Sequence, residues 1–312
     1  MRSIIYDQFG GPSVLKMAEV PVPDISNDKI LVKVKSVSIN PLDWKIREGE
    51  MKMQSGTKFP KSVGMDFSGI VERAGSAVKN FKQGDEVFGI VDVFKGGALS
   101  EFLVASEKDI AVKPGNISFE QAAAMPIVGS AAIQIFEKLV KLRSGFEVLI
   151  NGASGGIGMF AIQIAKKQGA VITSVVSGKG IELAKKWGSD FVTDYNQTDI
   201  LESKKQYDVL IDLSGKIPFD KAKKIMKPAS TYVNTVPGIK EIIGSFIHNL
   251  FLPKKYEVLL LKPNPGYLKT LADYAAKGMD IEVSRTYPIK AFKEAYTEVP
   301  KGGILGKAVF TV

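Results

Sequence analysis

The stretch that most constrains the fold is VLINGASGGIGMFAIQIA, Val148 to Ala165. A short apolar run, a burst of glycine and then apolar residues at Ile157, Phe160, Ala161, Ile164 and Ala165 spell a buried strand, a tight turn and a helix. Ala153, Gly155 and Gly158 are spaced A-x-G-x-x-G, a variant of the dinucleotide fingerprint with alanine in its first position. Glycine lets the backbone approach a diphosphate, and the free amides at the start of the helix meet its charge. Ala153, Ser154, Gly155, Gly156, Ile157 and Gly158 are therefore candidate cofactor-binding residues; a close-packed turn with no ligand is the alternative.

The next strand decides which dinucleotide is expected. An NAD enzyme places an acid about 20 residues beyond the fingerprint, at the end of that strand, to hold the ribose. Here the strand end reads VITSVVSGKG, and no Asp or Glu lies between Gly169 and Glu182. Ser177 and Lys179 stand there instead, a hydroxyl and a cation suited to a 2′-phosphate, so NADPH is expected over NADH unless the segment is an ordinary exposed turn. Tyr195, closing FVTDY, either edges the adenosine-phosphate site or simply finishes its strand.

EVLING, AVITSVV, DFVTDY, YDVLIDLSG and ASTYVNTV are nearly continuous apolar runs separated by helical or polar segments, with a short polar helix expected after DFVTDY, as parallel strands covered on both faces require. They place a Rossmann doubly wound parallel sheet over residues 121–253. Residues 1–120 read differently, as short alternating antiparallel strands broken by Gly, Pro and Asp, and after Pro253 mixed elements return, with YEVLLL, DIEVSRTYPI and ILGKAVFTV as strands. A chain of 312 residues is long for one core, which agrees with two domains in an α/β protein.

Composition removes several kinds of chemistry. With no cysteine and a single histidine, His248, the chain has no thiolate nucleophile or disulfide and few donors for a metal site. The net charge of +9 is diffuse, and the lysine-rich Lys221–Lys227 alternates with apolar residues like a solvated helix face, which argues against nucleic acid as the main partner. No apolar run is long enough to span a membrane, and the first residues lack an apolar signal core, so a cytoplasmic location is expected.

Several ordered segments carry a family resemblance: SINPLDWKIREG, GMDFSGIVERAGSAVKNFKQGDEVFG, GALSEFLVASEKDIAVKP, AAAMPIVGSAAI, the NGASGGIG turn, GSDFVTDY and the terminal GGILGKAVF. Over nearly its whole length the chain resembles the medium-chain dehydrogenase/reductase superfamily, in its zinc-free quinone oxidoreductase branch. The resemblance implies a GroES-like β domain over 1–120, completed by 254–312, a Rossmann domain at 121–253, an NADPH cleft between them, and often a homodimer. It implies catalytic roles for Asn40, as an amide near nicotinamide or substrate, and Ser130, as a hydroxyl on the nicotinamide amide, although Asn-Pro also opens turns and Ser130 could cap a helix.

Zinc-dependent members bring Cys and His to positions resembling Asn40 and Met65, so no metal site is expected, and the acceptor must already be electrophilic, a quinone or another α,β-unsaturated carbonyl. Enoyl-thioester reductases of the superfamily commonly carry a tyrosine acid after N-P-x-D. This chain has none from Lys45 to Val63, leaving Arg47 or water as proton source. An enoyl-thioester reductase and a non-catalytic nucleotide- or RNA-binding relative stay open as alternatives. Asp43 and Asp66 read as buried structural acids, Met51 and Met53 as an apolar lining or core, and Lys307 as a family lysine beside the unusual Gly302–Gly303 pair.

Overall fold

Alternating apolar residues in KILVKVKSVS make Lys29–Ser38 the central strand of an antiparallel sheet, with Ile30, Val32, Val34 and Val37 buried in the core. The computed structural model describes residues 1–251, 253–262 and 264–312 and divides into two units, Met1–Ile127 with Asn264–Val312, and Val128–Pro263. The first unit begins with eight strands: β1 (Arg2–Tyr6), β2 (Lys16–Glu19), β3 (Lys29–Ser38), β4 (Lys61–Ser62), β5 (Asp66–Ala74), β6 (Glu86–Ile90), β7 (Phe102–Ser106) and β8 (Ile110–Val112). β2, β1 and β4 form a small antiparallel sheet of their own.

The second unit holds β9 (Glu147–Asn151), β10 (Val171–Val176), β11 (Phe191–Asp194), β12 (Tyr207–Asp212), β13 (Met226–Asn234) and β14 (Lys255–Val258), all parallel in the order β11-β10-β9-β12-β13-β14. Val148, Leu149, Ile150, Ile172, Leu210 and Ile211 are fully buried, as strands covered on both faces must be. The chain then returns to the first unit with β15 (Val283–Pro288) and β16 (Lys307–Thr311), and the large sheet there runs β15-β16-β3-β5-β6-β8, with β7 also paired to β3.

Two sequence expectations change. YEVLLL was expected beyond the Rossmann segment, yet β14 pairs with β13 from Thr231↔Lys255 to Asn234↔Val258, so the parallel sheet has six strands and its unit extends past residue 253. The physical reason is the intervening helix Ile239–Phe251, a crossover long enough to bring the chain back parallel to its neighbour. The short polar helix expected after FVTDY is one 3₁₀ turn, Ile200–Glu202, started by the Asp199 carboxylate accepting from the Leu201 amide at 2.9 Å.

Close backbone approach in the first unit falls on Gly69, opposite Val34 where the β3–β5 register shifts. A Cβ added there would lie 2.3 Å from the Lys33 carbonyl oxygen, which belongs to backbone that has no rotamer to change. Gly69→Ala is expected to cost about 1–3 kcal/mol by overpacking, read as a lower urea midpoint with unchanged slope. An unchanged midpoint would show that the sheet opens there freely.

Candidate functional site

At the carboxyl end of β9 the chain turns through Gly152, at φ 77°, into the helix Gly156–Lys167. Gly158 permits this close packing, because a Cβ there would sit 2.2 Å from the Ala153 carbonyl oxygen. Gly155 differs: the nearest atom to an added Cβ is 3.7 Å away, so packing alone does not demand glycine. As N-cap, Gly155 offers no side-chain cap, its own amide donates to the Gly152 carbonyl at 3.4 Å, and the first helical turn carries no acid, so no carboxylate of that turn competes for the helix-start amides. An open cradle lined by free amides fits the diphosphate of a dinucleotide.

The neighbouring turn is drawn against this one. A Cβ on Gly180 would meet the Ser154 Cβ at 2.8 Å, so the turn Ser177–Gly180 lies beside the glycine turn. Gly178 adopts φ 52°, the Ser177 carbonyl accepts from the Gly180 amide at 3.0 Å, and Lys179 is exposed at the start of the helix Gly180–Lys186. Tyr195 donates its amide to the Val176 carbonyl at 3.1 Å, which brings it beside the same strand end with its ring exposed. Ser130 is buried within the helix Pro126–Gln134, four residues past its start, so it does not cap that helix.

Sequence reasoning missed Asp212, which is fully buried at the end of β12. One carboxylate oxygen accepts from Asn151 Nδ2 (2.9 Å), the Ser214 amide and hydroxyl (3.1 and 3.0 Å) and the Gly215 amide (3.0 Å), and the other accepts from the Ile217 amide (2.9 Å). It thereby ties the loop after β12 to the end of β9. The available signal was an acid ending an otherwise apolar run, YDVLID.

In the first unit, β3 leads through Ile39 to Asn40, which is 1% exposed and is the N-cap of the helix Pro41–Arg47. Its Nδ2 donates to Asp66 Oδ2 (3.0 Å) and Ser38 Oγ (3.3 Å), and its Oδ1 accepts from Lys307 Nζ (2.7 Å). Lys307, itself buried, also donates to the Ile39 carbonyl at 2.8 Å. Lysine can only donate, so the amide has one orientation. The Asn40 backbone amide donates to Asp43 Oδ2 (2.8 Å), fixing the first turn of the helix Pro41–Arg47, and Asp66 Oδ1 accepts from the Ile127 amide (3.0 Å).

Burial pushes the Asp43 carboxyl up to about 7, against the Asn40 amide hydrogen bond and the Lys307 charge, which favour ionisation. Burial raises Asp66 to about 6, opposed first by Lys307. Lys307 is pulled below the ordinary lysine range by its own burial, opposed by the two carboxylates.

These contacts revise several expectations. The Asn40 amide was expected to face cofactor or substrate, but its donors and its acceptor are engaged within the unit. Arg47 was a candidate proton source, yet it is 1% exposed, donates to the Gly10 carbonyl and Glu48, and lies 5.5 Å from the centre of the Tyr296 ring. Met53 is exposed and so not part of a core, and His248 is bonded to the Lys254 carbonyl at 2.8 Å with its ring edge-on to Phe219. An engaged amide at Asn40 and a buried thioether at Met65 do not fit a zinc ion, whose usual donors are thiolate, imidazole and carboxylate. No group of three His, Asp or Glu side chains among the described residues is placed to hold a metal.

Two family models match the chain, the alcohol dehydrogenase GroES-like domain over residues 26–115 and zinc-binding dehydrogenase over 156–243. The chain is 30% identical to the chloroplast envelope quinone oxidoreductase homolog of Arabidopsis thaliana, across 99% of this chain and 98% of that protein. It is 34% identical to the chloroplastic NADPH-dependent alkenal/one oxidoreductase of the same plant, across 99% and 79%. Among solved structures, Escherichia coli quinone oxidoreductase complexed with NADPH superposes with a TM-score of 0.86 at 25% identity, covering 100% of both chains. No helix among the described residues is long and apolar enough to cross a membrane.

The raised carboxyls have a consequence for stability. An exposed Asp titrates near about 4, so between about pH 4 and 7 the folded state holds protons that the unfolded state has released, and stability falls as pH rises through that window. Above it the cost is fully present. Asp43→Asn removes one of these titrations, and urea midpoints taken across the window should fall less steeply than in the wild type. An unchanged slope would show that Asp43 is ionised throughout.

Proposed function

We propose, from the premise that the chain belongs to the medium-chain dehydrogenase/reductase superfamily in its quinone oxidoreductase-like branch, that it is an NADPH-dependent oxidoreductase acting on quinones and other α,β-unsaturated carbonyls without a metal. The observation that carries this reading is the uncapped glycine turn opening the helix Gly156–Lys167, set beside a turn that offers Ser177 and Lys179 where an NAD enzyme keeps an acid.

When bound, NADPH supplies the hydride. The amides from Gly156 onward hold its diphosphate, and the open space at Gly155 admits the close approach. Ser177 contributes a hydroxyl to the 2′-phosphate and Lys179 a positive charge. Asp212 keeps the loop after β12 pinned to Asn151, so the turn is formed before the ligand arrives. Ser130 orients the nicotinamide amide in this reading, and Tyr195 flanks the adenosine end.

Asn40 acts here by position. With Lys307 and Asp66 it fixes the end of β3 and the start of the helix Pro41–Arg47. With thiolates absent and the Asn40 amide engaged, nothing in this cluster polarises a saturated carbonyl. The acceptor's own conjugation must then spread the arriving charge onto oxygen, which selects quinones and enones, and water delivers the proton. A cytoplasmic location and a homodimer complete the reading, checked by cell fractionation and by light scattering on the purified protein.

The test is NADPH oxidation with a panel of quinones and enones, with and without a strong chelator. Turnover that survives the chelator is expected, and activity restored only by added zinc would overturn the metal-free mechanism. Lys179→Ala should lower kcat/KM for NADPH about 10-fold at fixed ionic strength and leave NADH nearly unchanged. A wild type that prefers NADH contradicts the cofactor assignment.

A further inference from the structure

One more cation reaches the nucleotide end of the second unit. Lys216 follows β12, whereas Tyr195 follows β11, and β9 and β10 lie between those strands. At a strand spacing of roughly 4.8 Å the ends of β11 and β12 are about 14 Å apart. Even so, Lys216 Nζ lies 5.9 Å from the centre of the Tyr195 ring. The side chain and its loop therefore reach across the carboxyl ends of β9 and β10, over the two turns described above.

Its backbone is held on both sides, because the Gly215 and Ile217 amides both donate to Asp212 and the Lys216 amide donates to Ser214 Oγ at 3.3 Å. A fixed loop carries one long, exposed side chain. Among the described residues, no carboxylate pairs with the Lys216 ammonium, and its contact with an exposed ring is a weak one that a phosphate readily replaces.

We propose that Lys216 is a cofactor-specificity residue, the second cation after Lys179 for the 2′-phosphate of NADPH, and that it reaches this group from the far side of the glycine turn by way of the Tyr195 ring. The position of the ammonium chooses the 2′-phosphate over the diphosphate. It lies at Tyr195, whose amide bonds the Val176 carbonyl next to Ser177, whereas the diphosphate cradle belongs to the end of β9. The inference rests on the NADPH reading above and deepens it. It assigns no new bond-making step.

Binding of NADPH, NADH and 2′,5′-ADP to the full chain, by calorimetry at two salt concentrations, tests it. Lys216→Met should weaken NADPH and 2′,5′-ADP about 10-fold and NADH by less than about 2-fold, with a shallower salt dependence than the wild type. Lys216→Arg should keep most of the affinity. Equal weakening of NADPH and NADH would place the cation on the diphosphate and overturn the proposal, as would no change in either. If wild type prefers NADPH and Lys179→Ala abolishes that preference while Lys216→Met does not, only the Lys216 assignment fails. If wild type binds NADH as tightly as NADPH, the cofactor reading fails with it. Lys216 is exposed and donates no side-chain hydrogen bond among the described residues, so its variants are expected to fold.

Discussion

The first unit is closed by a buried ammonium. Lys307, on the last strand, donates to the Ile39 carbonyl and the Asn40 side chain, and its charge acts on Asp43 and Asp66. A buried charge without partners costs several kcal/mol, so these groups are tolerable only together. The hydrogen bonds join β16 to the end of β3, and Asp66 carries the network on to β5 and to the Ile127 amide. The discontinuous unit, built from both ends of the chain, is held at its polar centre by this set of contacts.

The second unit uses the opposite arrangement, a buried carboxylate surrounded by donors. Asp212 gathers the amides of Ser214, Gly215 and Ile217, the Ser214 hydroxyl and the side-chain amide of Asn151. Five donors can hold an acid at full burial without a cation. The result is a rigid loop beside a glycine turn whose helix starts without a side-chain cap. In the proposed reading, a site for a highly charged dinucleotide gains from this division: the protein's acid is satisfied internally, and the helix start and the exposed lysines are left for the ligand.

The two clusters also explain why residue identity alone misleads about role. Asn40 is a hydrogen-bonding amide in a segment that resembles a catalytic motif, yet its neighbours consume its capacity. Lys216 belongs to no motif, yet the loop that carries it aims it across the strand ends. The placement of both side chains is set by partners distant in sequence.

Much of the fold was legible in the chain itself. Continuous apolar runs marked the buried parallel strands, alternation marked the antiparallel ones, and the glycine spacing located the turn from β9 into its helix, because these signals come from local backbone geometry and from which faces are covered. β14 was harder to place, since a short apolar strand pairs equally well with either sheet until the crossover helix fixes its direction. The sequence by itself determined the two kinds of sheet, the glycine turn between β9 and its helix, and the absence of an acid after VITSVV. Tertiary structure alone decided that Lys307 meets Asn40, that Asp212 anchors Asn151 and that Lys216 reaches Tyr195. Those pairings depend on which strands become neighbours, and neighbouring strands are chosen by the packing of the whole unit.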